Sequence, residues 1–171
     1  MVLRPFAKVL DILLEEALRH YGDRLISIVV FGSVGRRAAR PNSDVDVLLV
    51  IDPLPNGRMA RMREFGPVEG AVRSRFQAAE PSMGAVDLSP VFKTPLEVQR
   101  GSLLFLDMVH DSVVLFDRGD FFARYLDELR ARLDSMGARR IPYRGSWYWD
   151  LKDDLQPGVH PDLAACVNTG V

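Results

Sequence analysis

Two aspartates, Asp44 and Asp46, are the residues whose type and spacing most directly indicate chemistry. They stand at the start of the apolar run Val45–Ile51, which predicts a strand. Residues two apart on a strand point to the same face, so the two carboxylates are expected to converge. Burying an unpaired carboxylate costs free energy, so Asp46, which lies inside this apolar run, needs an interaction partner. Such a pair can hold a divalent metal against the phosphates of a nucleotide.

A glycine turn precedes this acidic pair along the chain. Leu25–Phe31 is almost continuously apolar and β-branched, as expected of a strand that is buried on both faces. Gly32 and Ser33 follow at once and lead into a short basic segment. A strand that ends at a helix start presents backbone N–H groups, which favour a phosphate. The alternative is an ordinary Gly-Ser turn without a ligand. In that case Asp44 would only cap the turn that begins at Asn42 and Ser43.

Taken together, the two features resemble the signature of the DNA polymerase beta-like nucleotidyltransferase superfamily. In that signature a G-S motif is followed by D-x-D, and here these are Gly32-Ser33 and Asp44-x-Asp46. The resemblance implies that Asp44 and Asp46 bind two Mg²⁺ ions, with ATP as the substrate. It also implies that Ser33 and the amides around Gly32 hold the β- and γ-phosphates, and that Arg36 supplies a further positive charge.

A third carboxylate is expected from the same resemblance, on the strand beside the D-x-D strand. Asp87 stands between Val86 and Leu88, in a segment that predicts a third strand over 84–92. In this role Asp87 would bind the ion that activates the acceptor hydroxyl and would take its proton. The alternative is a solvent-facing edge residue, because Pro90 cannot donate to a ladder and indicates a strand that lies at an edge or is irregular there.

The small size of the chain narrows the resemblance to minimal nucleotidyltransferases. These proteins lack the large nucleic-acid-binding parts of polymerases, and many act as antitoxins of HEPN-domain proteins. The resemblance therefore implies an enzyme that transfers AMP to a tyrosine of a HEPN-type toxin partner. Two alternatives stay open, an antibiotic-like enzyme with a small-molecule acceptor and a non-catalytic antitoxin that acts by binding. The intact D-x-D motif favours an enzyme.

The remaining pattern predicts an α/β (α+β) nucleotidyltransferase fold, with a small mixed sheet of four to five strands and helices mainly on one face. We expect one domain over 1–145 and a tail over 146–171, aromatic at Trp147-Tyr148-Trp149 and then loosely ordered beyond Asp154. Aromatic residues at this density pack on the body of the domain or on a partner protein, and packing on the body is the favoured expectation. The other predicted elements are helices over 5–21, 58–79 (divided at Gly66-Pro67), 94–109 and 121–136, and strands over 112–116 and 139–144.

Composition excludes several classes of protein. The chain has 171 residues, 47% of them hydrophobic, which suits a single globular domain. Its net charge of −1 provides no overall positive potential that would attract nucleic acid. Its single cysteine, Cys166, excludes an internal disulfide. No apolar run reaches membrane-spanning length and no signal-peptide pattern is present, so a cytoplasmic protein is expected.

Overall fold

The computed structural model describes residues 4–40 and 43–151. Its helices are α1 (Arg4–Tyr21), α2 (Gly32–Gly35), α3 (Arg58–Ala79), α4 (Pro95–Gln99), α5 (Leu104–Asp111) and α6 (Phe121–Ser135). Its strands are β1 (Leu25–Val30), β2 (Val45–Ile51), β3 (Leu88–Lys93), β4 (Val113–Asp117), β5 (Arg139–Tyr143) and β6 (Ser146–Asp150). Within these ranges every helix is too short or too polar to serve as a bilayer span.

A four-stranded mixed sheet, in the order β3-β2-β1-β4, forms the centre of the fold. Strand β1 is antiparallel to β2 and β4, whereas β2 and β3 are parallel. The apolar runs that predicted β1 and β2 are the two central strands, and this explains why they lack polar alternation. The predicted fold class, a mixed α/β sheet of four to five strands, is confirmed.

Helices cover both faces of the sheet, so the expectation of helices mainly on one face is wrong. On one face, Val30 and Leu49 pack in a cluster with Phe6 of α1 and Phe65 of α3. On the other face, Val29, Leu48 and Val50 pack in a second cluster with side chains of α5 and α6, among them Phe105 and Phe122. Both faces of the central strands are apolar, and each needs its own cover of helices.

Two predicted helices have different bounds in the structure. Helix α3 runs through Pro67 without the predicted division. A proline inside a helix costs about 3 kcal/mol, but α3 buries Phe65 and Val68 around it, at roughly 1.5–3 kcal/mol for each buried side chain. Conversely, the helix predicted over 94–109 is interrupted between α4 and α5. Ser102 Oγ there accepts the N–H of Leu104 (3.3 Å), which gives one N–H at the start of α5 a partner.

The aromatic segment after residue 145 forms a strand, β6, that pairs antiparallel with β5. This hairpin packs on the body of the domain, because the indole N–H groups of Trp147 and Trp149 both reach Asp107 of α5. The expectation of body packing is confirmed. The predicted division at 145/146 falls in the turn of the hairpin, and the segment predicted to be loose beyond Asp154 lies outside the described residues.

Strand β3 is an edge of the sheet, as its proline predicted. Pro90 has no N–H to offer there. Arg61 of α3 donates to the carbonyl of Phe92 (3.2 Å) and forms two hydrogen bonds with Glu97 (2.8 and 3.0 Å). The outer side of β3 is therefore covered at one end by an arginine from α3.

Candidate active site

The carboxylate of Asp46 lies against the backbone of Gly32. Asp46 is the second residue of β2, and Gly32 opens α2 with a φ of +63°. A Cβ built on Gly32 would stand 2.0 Å from Asp46 Oδ2 and 2.8 Å from Asp46 Cγ. The N–H of Phe31 donates to the carbonyl of Asp46 (3.0 Å), which holds the end of β1 against the start of β2. The glycine of the G-S motif is thus required by both its conformation and the aspartate beside it.

Burial, reinforced by the charge of Asp44, raises the pKa of Asp46. The charge of Arg36 and a hydrogen bond with the Ser89 side chain act in the opposite direction. Two carboxylates that repel each other at a partly buried position are stabilised by a cation between them. The electrostatics of the pair therefore fit a divalent metal ion.

The register of β2 and β3 places Asp87 beside this pair. Val45 is the neighbour of Leu88, and Asp46 is the neighbour of Ser89. The N–H of Val45 donates to the carbonyl of Asp87 (2.9 Å), so the ladder extends one residue before β3 begins. Asp87 and Asp44 thus occupy corresponding positions, on the face that Asp46 and Ser89 share. Asp87 precedes the strand instead of lying inside it, and both Asp87 and Asp44 are exposed.

Asp44 and Asp46 offer a divalent metal ion two carboxylates, which leaves its other ligand positions to a bound substrate. Among residues 4–40 and 43–151, no three His, Cys, Asp or Glu side chains form a group that could hold a metal ion on their own. Mg²⁺ is usually bound by one or two carboxylates together with substrate phosphates, not by an all-protein cage. The adjacent carboxylates and the turn at Gly32 offer that kind of donor set.

Ser33 and Arg36 lie on the other side of Asp46 from β3. Ser33 is half-buried in the first turn of α2, and its carbonyl accepts the N–H of Ala38 (2.9 Å). Arg36 follows α2 directly, and its N–H donates to the carbonyl of Gly32 (3.1 Å). Arg36, whose side chain is predicted to bind phosphate, is therefore held to the glycine turn by a backbone hydrogen bond.

Sequence reasoning missed two residues of this site. Ser89 hydrogen-bonds Asp46, and its spacing of two residues from Asp87 was a usable signal of a shared strand face. Trp147 has its ring centroid 4.9 Å from the Arg36 guanidinium carbon. No local pattern could have found this contact, because the two residues are far apart in the sequence.

Comparison with known proteins identifies the part of the chain that holds these residues. Residues 10–79 match a family model described as a nucleotidyltransferase domain. The matched segment contains the glycine turn, Arg36 and the pair Asp44–Asp46, whereas Asp87 lies beyond it. The resemblance drawn from the G-S and D-x-D motifs is confirmed.

One curated protein and several solved structures are similar to this chain. The chain is 27% identical over 124 residues to the "Putative protein adenylyltransferase MJ1305" of Methanocaldococcus jannaschii, covering 71% of this chain and 79% of the relative. A solved structure called "Crystal structure of the toxin-antitoxin with AMP-PNP" is 19% identical with a TM-score of 0.45, covering 74% and 90% of the two chains. A complex of an AMPylated Shewanella oneidensis HEPN toxin with an MNT antitoxin is 14% identical with a TM-score of 0.36, covering 75% and 93%.

Proposed function

We propose that this chain transfers a nucleoside monophosphate, AMP from ATP, to a hydroxyl group of a protein and acts as a minimal nucleotidyltransferase antitoxin. The acceptor in this proposal is a tyrosine of a HEPN-type toxin partner. Support comes from the nucleotidyltransferase match over 10–79 and from the adenylyltransferase name of the archaeal relative. The toxin partner rests on the resemblance to minimal nucleotidyltransferases.

One observation carries the catalytic part of the proposal, the close approach of Asp46 to Gly32. A glycine with positive φ leaves room for a carboxylate directly against the turn. A metal ion on that carboxylate would be next to phosphates held by the same turn. In the proposed arrangement Asp44, Asp46 and Asp87 hold two Mg²⁺ ions. The bound metal supplies charge that offsets the negative charge on the attacking and leaving oxygens.

Side chains and backbone groups of the chain would bind the phosphates and accept the proton of the acceptor. The backbone around Gly32, together with Ser33 and Arg36, binds the β- and γ-phosphates and keeps them in place as the leaving group. Asp87 accepts the proton of the acceptor hydroxyl. The acceptor oxygen forms a bond to the α-phosphorus as the bond from that phosphorus to the β-bridging oxygen breaks. The electron pair of the broken bond leaves with pyrophosphate.

The order of the strands sets the direction from which the acceptor arrives. The attacking and leaving oxygens of a phosphoryl transfer lie roughly in line, on opposite sides of the phosphorus. The leaving phosphates lie beside the turn after β1, so the acceptor enters from the side of β3. A cavity of about 500 Å³ lies at that edge and is lined by Ser89, Phe92, Arg58 and Lys93, among others. Ser89 joins this cavity to the acidic pair through its hydrogen bond with Asp46.

The test uses the full chain together with a co-expressed HEPN-type protein as the candidate partner. Both proteins are incubated with α-labelled ATP and Mg²⁺, and each is analysed by intact and peptide mass spectrometry. We expect AMP on a tyrosine of the partner, no transfer after chelation, and no transfer by Asp46→Asn. Asp23→Asn is the matched control, because it makes the same change at a fully exposed aspartate outside the site. Transfer by Asp46→Asn at the wild-type rate, or label found only on a small molecule, would overturn the proposal.

A further inference from the structure

The β5–β6 hairpin is fixed to α5 through the ring of Trp147. The Nε1–H groups of Trp147 and Trp149 donate to the same oxygen, Asp107 Oδ1, at 2.8 and 2.9 Å. The guanidinium carbon of Arg140, on β5, stands 3.6 Å from the centroid of the Trp147 ring, and Arg140 also forms an ion pair with Asp111. The ring of Trp147 is therefore held by a hydrogen bond at its edge and by a cation against its π system.

The end of α5 also packs tightly on the glycine turn. A Cβ on Gly35 would stand 2.5 Å from the carbonyl oxygen of Asp111 and 2.9 Å from that of Val30. The last turn of α5 thus touches the backbone of α2, and the hairpin that α5 carries lies beside the same turn. This packing brings Trp147 within reach of Arg36, with 4.9 Å from the guanidinium carbon to the ring centroid.

Arg36 connects this hairpin with the acidic pair. The charge of Arg36 opposes the rise in the pKa of Asp46. The backbone N–H of Arg36 is bonded to the carbonyl of Gly32, and its guanidinium faces Trp147. An arginine side chain has many rotamers, and ordering it on a ligand costs free energy at the moment of binding. A ring that restrains the guanidinium beforehand removes part of that cost.

We propose that Trp147 is a positioning residue that orders the Arg36 guanidinium at the phosphate turn. The C-terminal hairpin is then part of the nucleotide site, although it lies outside the matched segment 10–79. The inference rests on the proposed function, since it needs Arg36 to meet the β- and γ-phosphates of ATP. Trp147 itself touches neither the substrate nor the reacting atoms in this account.

The experiment compares ATP with AMP, which lacks the phosphates that Arg36 would bind. Isothermal titration calorimetry with Mg²⁺ measures both affinities for wild type, Trp147→Leu, Arg36→Ala and the double variant. We expect Trp147→Leu to weaken ATP binding about three- to tenfold, the range of a cation–π contact, and to leave AMP binding unchanged. The double variant should bind ATP no more weakly than Arg36→Ala alone, because the ring acts through the arginine. In transfer assays the KM for ATP should rise more than kcat falls.

Trp149→Leu is the matched control. It removes the other indole on Asp107, whose ring stacks on His110 (5.7 Å between centroids) instead of facing Arg36. Additive losses in the double variant, an equal loss of ATP affinity in Trp149→Leu, or a parallel fall in AMP affinity would each overturn the inference. If Trp147→Leu does not fold, Trp147→Phe replaces it: because it keeps a π face beside Arg36, it should retain ATP affinity close to that of wild type, and a loss as large as that of Arg36→Ala would overturn the inference. A wild-type chain that binds no ATP would overturn the proposed function as well, whereas wild-type ATP affinity in Trp147→Leu would overturn the positioning role alone.

Discussion

Replacing Gly32 with alanine should remove activity and leave the fold in place. The substitution introduces a Cβ at a backbone position with a φ of +63°, which costs an L-residue about 1–2 kcal/mol. The same Cβ would stand 2.0 Å from Oδ2, 2.8 Å from Cγ and 3.1 Å from Cβ of Asp46. Real Cβ contacts are essentially never shorter than 3.0 Å, and two of these three are, so the Asp46 side chain must turn away from the site.

The two effects of this substitution can be separated with a control glycine. Gly137, at the end of α6, has a φ of +68° and would place its new Cβ at least 4 Å from any neighbouring atom. Gly137→Ala therefore carries the backbone cost without the clash. By denaturant unfolding, both variants should lose about 1–2 kcal/mol. A rotated Asp46 should lower the transfer rate about 100-fold or more in Gly32→Ala alone, since small misplacements at a reacting centre have effects of this size.

Nucleotide transfer by Gly32→Ala at the wild-type rate would refute this reasoning. So would an equal loss of activity in Gly137→Ala, because activity would then follow stability and not the position of Asp46. Calorimetry with ATP adds a direct measurement. Binding of ATP and Mg²⁺ should weaken in Gly32→Ala and be unchanged in Gly137→Ala.

Three further predictions concern carboxylates. Asp46→Asn should abolish transfer, yet without metal its midpoint of unfolding should equal or exceed that of wild type, because the change removes a partly buried charge that Asp44 repels; a lower midpoint would contradict this. Asp87→Asn should keep most ATP affinity by calorimetry while the transfer rate falls about 10²- to 10⁴-fold, the usual contribution of a general base; a wild-type rate would remove Asp87 from that role. Glu16→Gln should lower the free energy of unfolding at pH 7, because a hydrogen bond from Arg75 (2.6 Å) holds the pKa of Glu16 below its ordinary value. That stabilisation is present above the ordinary glutamate pKa of about 4.3 and is lost as the pH falls through the lowered value, so the two proteins should converge in acid unfolding curves. Glu15→Gln is the control, since Glu15 contacts the same arginine but its side chain is 62% exposed, against 4% for Glu16.

The central part of the fold could be predicted because local and global preferences agree there. Val45–Ile51 is apolar except at Asp46 and is a strand with the predicted bounds. Asp46 and Asp44, the residue just before the strand, occupy one face because a strand alternates with a period of two. Thr94 and Glu97 have the threonine-x-x-glutamate spacing of a capping box, and both of its hydrogen bonds are present. Each of these features depends only on a residue and its neighbours along the chain, so the local sequence is enough to predict it.

Features that depend on distant packing could not be predicted in the same way. The break predicted at Pro67 is absent because buried side chains on either side hold α3 together. The bond between Ser89 and Asp46 depends on the parallel register of β2 and β3, which no local pattern specifies. The contact between Arg36 and Trp147 requires α5, the hairpin and the glycine turn to meet. Tertiary packing decides all three.

The outer side of β3 limits how a protein acceptor can be recognised. An exposed strand edge normally invites another chain to join the sheet through main-chain hydrogen bonds. At this edge Pro90 has no N–H to give, and the carbonyl of Phe92 is already bonded to Arg61. A partner that approaches there cannot extend the sheet as a fifth strand over these residues. Selectivity for the acceptor must then come from the side chains that the partner inserts beside Arg58 and Lys93, and not from an extended backbone that any sequence could supply.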